Sequence, residues 1–440
     1  MRARTTPLVL LEASTLLSAT GNGIAMVALP WLILDRTGSA TAAGVVAAAT
    51  AVPLLFASLF AGWLVDRIGR RRTAVLSDLA SAASVAAIPL VDAAGQLTLP
   101  VLAALAVLGA VIDPAGVTAR ETLLPAAARA AHWRLDRVNG VHEAVFGLAF
   151  LVGPGVGGVL IGAVGPVATL WATAAGFVLS LLLVALVRLP GAGRPAESPA
   201  GVWRATREGL AFVWHDRLLR TIALLTMALV ALYLPVEAVI LPAQFVAEGA
   251  PERLGLVVMA LSGGGVVGAL LFGAVGHRFG RRAVFVAAVV GACAALLGMA
   301  TLPPYPLLVA LAALVGLLYG PVNPIANYAM QIRTPERLRG RVVGVMTSSA
   351  YAAGPVGYLV AGPLVEWLGV RPAFLTMAAA LLVAAVAFAP SRALRELDAA
   401  VEPGSAARPA SGPAVAPAGG HAPGTPVEAA EAAEAAESTD

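Results

Sequence analysis

Five carboxylates stand inside runs of sequence that carry almost no other charge: Glu12, Asp78, Asp113, Glu143 and Glu237, with Asn22 and His142 as polar company. An ionisable group at membrane depth costs roughly 2.5 to 3.5 kcal/mol on insertion scales, so it faces a protein interior or an aqueous path. A buried carboxylate disfavours its own charge and can exchange a proton near neutral pH, or hold a cation. Glu143 falls one turn after Asn139 and one before Gly147, on a helix face leading toward Gly153 and Pro154, which aims its carboxyl at a central cavity. The alternative for Glu143 is an ion pair with Arg120 or Arg137. Glu237 follows Tyr233 by four residues in "YLPVEAVILP", where Pro235 and Pro242 free carbonyls beside the carboxylate. A substrate-contacting or coupling role for Glu237 stands against an outer-vestibule position of no special role. Asp113 precedes Pro114, and Glu12 either titrates or partners Arg2 and Arg4. Asp78 lies beside the arginines at 67–72, where a structural ion pair is expected. Tyr233, Tyr319, Tyr328, Phe146 and Trp31 could line an apolar pocket, against the competing role of ordinary helix packing or an interfacial belt.

The elements that must position these groups are apolar spans. The chain has 440 residues, 59% hydrophobic and 12% charged, against roughly 25% charged in a soluble domain. Stretches long enough to cross a hydrocarbon core of about 30 Å as helices recur throughout. They fall near 8–34, 40–64, 73–92, 98–119, 139–163 and 166–188, then near 219–242, 255–275, 283–301, 306–330, 341–366 and 371–390. The expected fold is therefore an all-α membrane protein with twelve transmembrane helices in two sets of six. All 29 basic residues are arginine. With a cytoplasmic N-terminus, the outside loops hold only Arg36, Arg253 and Arg371, and the positive-inside rule then places both termini in the cytoplasm of a multi-pass cell-membrane protein. Cys293, the single cysteine, sits mid-span as a packing residue and excludes an intramolecular disulfide. The first apolar run is too long for a signal-peptide core and reads as a span.

The two sets echo each other. "GWLVDRIGRR" at 62–71 overlays "GAVGHRFGRR" at 273–282, matching Gly62 with Gly273, Arg67 with Arg278, Gly69 with Gly280 and Arg70 with Arg281, while His277 replaces Asp66. "GPGVGG" at 153–158, holding Gly153, Pro154, Gly157 and Gly158, is answered by "GPVGYL" at 354–359. Two parallel six-helix repeats explain both. The expected organisation is an N-terminal bundle over 1–189, a linker with an amphipathic helix over 190–217, a C-terminal bundle over 218–392 and a disordered tail over 393–440. Trp203, Leu210 and Trp214 recur at helical spacing opposite Arg204 and Arg207, as in a helix lying on the cytoplasmic membrane surface. The tail lacks the bulky apolar residues a core requires.

The loop "GWLVDRIGRRR", with the six-plus-six pattern over residues 5–392, resembles the signature of the major facilitator superfamily. Within it, "VALPWLILDRTGSA" at 27–40, "GPGVGG", "REGLAFVWHDRLLR" at 207–220 and "PERLRGRVVGV" at 335–345 are similar to the drug-exporter branch, akin to macrolide and siderophore exporters. The resemblance implies a proton antiporter that exports amphipathic, drug-like small molecules by alternating access. It also implies that Asp66, with Arg67 and Arg70, meets the start of helix eleven as a cytoplasmic gate. Thr334 and Pro335 are then the expected N-cap and first turn of that helix. Gly62 and Gly69 are expected to permit close backbone approach.

No phosphate-binding loop of the GxxxxGK[ST] type exists, since the chain has no lysine, and no His/Cys/Asp cluster has metal-ligand spacing. The expected partners are a small-molecule substrate, protons and the lipid bilayer, with no cofactor, no metal, no nucleic acid and no catalytic group. The chain is expected to work as a monomer. The rival readings are an uptake carrier of the same fold, a siderophore exporter, and a non-transporting receptor or scaffold.

Overall fold

The computed structural model describes residues 5–189, 202–335 and 338–399. The linker expected at 190–201 and the tail from 400 onward lie outside the described residues. The first six helices are α1 (Thr6–Thr37), α2 (Ala40–Ile68), α3 (Arg70–Ala93), α4 (Leu99–Ala131), α5 (Leu135–Val164) and α6 (Pro166–Leu186). A shorter amphipathic helix, α7 (Val202–His215), precedes the second set. There, α8 (Arg217–Pro235) passes through a π turn at Val236–Ile240 into α9 (Leu241–Glu248), and the three form one pass. The π turn follows Pro235, whose missing N–H breaks the ladder where the sequence placed the interruption. The remainder are α10 (Pro251–Val275), α11 (Arg281–Ala300), α12 (Tyr305–Tyr319) with α13 (Val322–Arg333) as one pass, α14 (Arg339–Leu368), α15 (Val370–Phe388) and the short α16 (Glu396–Ala399). Eleven of the described passes are apolar and long enough to cross a membrane, and α14, 30 residues long, is a twelfth long helix outside that set.

The repeat seen in the sequence recurs in the backbone. Gly165 joins α5 to α6 with φ 85° and ψ 163°, and Gly369 joins α14 to α15 with φ 86° and ψ 165°. Both positions need a residue that tolerates positive φ, and both turns have the same shape. The loop after α2 is different: Gly69 turns with φ 97°, whereas Gly280, its counterpart, has φ −61°.

Lipid tails are as apolar as leucine, so helices in a bilayer associate through close packing and polar contacts. Glycines supply that closeness along two seams between the halves. On α5 against α10, a Cβ at Gly158 would lie 3.0 Å from the Gly255 Cα, one at Gly155 2.9 Å from the Met259 Sδ, and one at Gly263 3.0 Å from Leu151. On α2 against α14, a Cβ at Gly44 would lie 2.4 Å from the Tyr358 carbonyl oxygen, and one at Gly362 2.6 Å from the Thr41 Cα. Within the N-terminal half, Gly23 and Gly153 bring α1 onto α5 in the same way.

Three boundaries differ from the expectation. Helix α14 starts at Arg339, so Thr334 is not its N-cap; it closes α13 in an extended conformation, and its hydroxyl is buried without a hydrogen-bond partner. Residues 393–399 are helical and not part of a disordered tail, because Leu394 and Leu397 are buried and Asp398 accepts the Arg282 N–H at 3.1 Å, capping α11 across the chain. Several helices also outrun the apolar spans, α4 most of all, since Arg120 pairs inside the bundle and Leu123, Leu124, Ala127 and Ala131 beyond it are buried. In α7, Val213 is buried while Leu210 and Trp214 are exposed, and Gly209 backs onto Arg341 and Val345 of α14.

Candidate functional site

The polar residues of the N-terminal half converge on α1. Along that helix Ser14, Ser18 and Asn22 recur every four residues and present one face to α3, α4 and α6. Asp78 on α3 pairs with Arg120 on α4 at 2.5 Å, and both are almost fully buried. Ser180 of α6 donates to Asp78 Oδ2 at 2.7 Å and Ser18 donates to Oδ1 at 3.1 Å, while Arg120 Nε reaches the Ser14 hydroxyl at 3.4 Å. Four helices thus share one satisfied ion pair. The expected pair at Asp78 exists, but its partner is Arg120, not the 67–72 cluster. The serine spacing on α1 was the sequence signal for it.

Two further pairs flank that centre. Asn22 Nδ2 donates to Asp113 Oδ1 at 3.0 Å, beside a cavity of about 260 Å³ lined also by Thr50, Ser81, Ser84 and Phe177. Glu12 Oε2 lies 3.2 Å from His142 Nδ1, joining α1 to α5, and both side chains are buried. Arg2 and Arg4, the alternative partners of Glu12, lie outside the described residues. Glu143 is exposed and pairs with neither Arg120 nor Arg137, whose guanidinium stacks on Trp133 instead. It lies one turn from Gly147, which approaches Val266 of α10.

The C-terminal half holds a different cavity. About 320 Å³ lies between α8, α10, α11 and α12, walled by Leu229, Leu234, Leu261, Val289, Leu296 and Val315 among others. Its polar groups are Tyr233, Glu237, Ser262, Cys293 and Tyr319. The Tyr233 hydroxyl donates to Glu237 Oε1 at 2.7 Å, and the Tyr233 and Tyr319 rings lie parallel with centroids 6.5 Å apart. No cation of the described residues pairs with Glu237. The remaining aromatic candidates sit elsewhere: Trp31 is buried in the core, Phe146 lines a cleft beside His142, and Tyr328 lies under Arg281.

The signature loops lie at the end of the bundle opposite Gly38 and Gly369. Asp66 makes no hydrogen bond or ion pair among the described residues, so the contact expected with the start of α14 is not formed in this conformation. Gly62 and Gly273 face open space, not a neighbouring backbone, and of the four signature glycines only Gly69 is required by its φ. Arg67 stacks over Trp63, Arg71 donates to the Val187 carbonyl at the end of α6, and Arg281 stacks over Tyr328. The Arg278 side chain is exposed, and His277's lies outside the described residues. At the other end the halves are clasped. Glu366 at the end of α14 accepts the Ser39 hydroxyl at 2.6 Å and the Thr41 N–H at 3.0 Å, a carboxylate placed on the N-terminus of α2. The Gly153, Pro154, Gly157 and Gly158 run lies on the α5 seams, with Gly157 against Ile24. The halves are clasped at the Glu366 end, and at the opposite end Asp66 makes no such contact among the described residues.

Twelve passes in two repeats, with glycine seams between them, match the Major Facilitator Superfamily over residues 11–242 and 237–426. The chain belongs to that superfamily. It is 48% identical over 400 residues to a protein described as multidrug efflux pump Tap from Mycobacterium tuberculosis, covering 89% of this chain and 95% of the relative. It is 47% identical to the protein of that description from Mycolicibacterium fortuitum, covering 90% and 98%. The fold also matches the solved structure of the nucleoside transporter NupG with a TM-score of 0.71 at 14% identity, over 87% of this chain and 98% of that one. This superfamily member is a multi-pass protein of the inner or plasma membrane and a secondary carrier of small molecules, not an enzyme.

Proposed function

We propose that this carrier exports amphipathic, drug-like small molecules in exchange for protons, working as a monomer whose two six-helix halves (1–189 and 218–392) rock about the linker at 190–217. The observation that carries the reading is the cavity around Glu237. It is large and apolar enough to hold a bulky amphiphile by burial, and its one carboxylate lacks a cation of its own. Sugars or small anions would need many converging polar groups or positive charge, which those walls do not supply. The efflux-pump description of relatives near 48% identity supports the same cargo class.

In this reading the Arg-rich Asp66 end faces the cytoplasm with both termini, and the Glu366 end faces outward. The conformation described is then inward-open: cargo enters from the cytoplasm while the Glu366 clasp seals the outside. Asp66 re-forms its contact with the start of α14 when the cycle turns outward. The proton sites come from the intramembrane set of Glu12, Asp113, Glu143 and Glu237. Expression in cells stripped of their own exporters, with efflux of ethidium and a panel of amphipathic antibiotics followed with and without an uncoupler, tests this directly. Uncoupler-sensitive efflux is expected. Accumulation in place of efflux would establish an uptake carrier, and no flux in either direction with protein in the membrane would leave a receptor or scaffold.

A further inference from the structure

We propose that the Glu12–His142 pair is the proton-carrying element of this transporter, and that it is discharged when a cationic cargo enters the Glu237 cavity; the proposal rests on the antiport reading above. The geometry separates this pair from the other charges of the N-terminal half. Arg120 is already neutralised by Asp78, with Ser18 and Ser180 completing the carboxylate's hydrogen bonds. Glu12 has only His142, and its second oxygen, Oε1, is buried with no hydrogen-bond partner. With the imidazole protonated the pair is neutral overall. Once the proton leaves, a carboxylate remains in an apolar bundle with an unsatisfied oxygen, a state that calls for a compensating positive charge.

The surroundings suit exchange. His142 lines a cleft of about 10 Å³ with Thr15, Ser18, Asn22, Arg120 and Phe146, close to the space of a single water that could relay a proton. The charged groups acting on the imidazole are Glu12 from α1, Glu121 from α4 and Glu143 on α5 itself, and Arg120 of α4 lines the same cleft. Glu121 and Glu143 are exposed, at the Asp66 end of the bundle, and are placed to draw protons toward the pair. Helix α6 has no charged residue, and the charged residues of α10, Glu252 and Arg253, lie at its far end.

The pair is also connected to the cargo cavity. His142 rides on α5, and α5 packs through Gly155 and Leu151 onto Met259 and Gly263 of α10. The neighbouring α10 residues Leu261, Ser262 and Gly265 form the wall of the Glu237 cavity. Helix α10 therefore has the proton-bearing helix on one side and the cargo on the other, so a shift of either is felt by both.

The test is equilibrium binding of ethidium to the purified full-length chain, followed by fluorescence between about pH 5.5 and pH 8.5, where a histidine titrates. Cargo that binds the deprotonated form competes with one proton, so wild-type affinity should rise about tenfold per pH unit below the pair's apparent pKa. In His142→Gln and in Glu12→Gln the slope should be lost. Asp92→Asn, which breaks an exposed pair with Arg36 remote from the cleft, should keep it. The two variants at separate ends of the pair guard against one that fails to fold. A wild-type slope retained in both variants overturns the assignment and leaves antiport standing. A wild-type affinity independent of pH overturns proton linkage itself, and absent ethidium binding by the wild type overturns the cationic-cargo reading together with this one.

Discussion

Asp78 and Glu237 are both carboxylates inside the bundle, and their surroundings are opposite. Asp78 is 1% exposed and is met by Arg120, Ser18 and Ser180, so its charge is balanced and its oxygens satisfied. Glu237 has one hydrogen bond, from Tyr233, and otherwise borders a cavity with aliphatic walls. In the N-terminal half Asp78, Arg120, Ser18 and Ser180 form a fixed internal cluster, which holds α1, α3, α4 and α6 at one spacing. The C-terminal half leaves a carboxylate without a counter-charge beside open space. A charge satisfied by its own protein holds structure, and a charge left for a ligand selects one.

The sharpest way to break this contrast is to unbalance Asp78. Arg120→Met should destabilise the protein by about 3 to 5 kcal/mol, because one buried charge is left without its partner. A melting curve of the purified protein, or the monodisperse fraction on size exclusion, reads that loss. Pairing it with Asp78→Leu should recover most of the stability. Glu237→Gln should shift the melt far less. An equal shift would show that both carboxylates are structural.

A smaller effect sharpens the other side. Glu237→Gln should weaken binding of a monocation such as ethidium about tenfold, which is about 1.4 kcal/mol, while a neutral amphiphile of similar size binds as before. Titration of both ligands separates electrostatic recognition from burial. If both weaken alike, the cavity shape has changed and the carboxylate is not the selector.

The seam between the halves gives the smallest effect. Glu366 is exposed, and its bonds to Ser39 and Thr41 resemble a carboxylate at a helix N-terminus, worth about 0.5 kcal/mol at the surface. Glu366→Gln should therefore lower the closed-to-open ratio at that end about twofold, measured as a distance distribution between spin labels placed near Gly38 and Gly369. An unchanged distribution would assign closure to the two glycine seams, α5 on α10 and α2 on α14.

Much of this arrangement was legible in the sequence because water and lipid read it the same way. Runs of about twenty apolar residues must be helices in a bilayer, and the overlaid loops at 62–71 and 273–282 expose the repeat. The break after Pro235 was equally plain. Other features had no local signature. Arg120 looked like one of several cytoplasmic arginines, yet α4 runs on to Ala131 and buries it. Gly62 was expected to touch a neighbour, but a helical glycine that faces open space looks the same in sequence as one that is packed.

Composition and periodicity by themselves determined the apolar spans and the two repeats, since both follow from hydropathy and spacing along one chain, and the loop at 62–72 added the resemblance that implied the family. Which carboxylate meets which partner was decided only by tertiary structure. Ser18, Asp78, Arg120 and Ser180 come from four helices, as Glu12 and His142 come from two, and nothing in a single helix records the rotation or depth of its neighbours. The same holds for the clasp at Glu366, 327 residues from Ser39, because it exists only where the two halves close on each other.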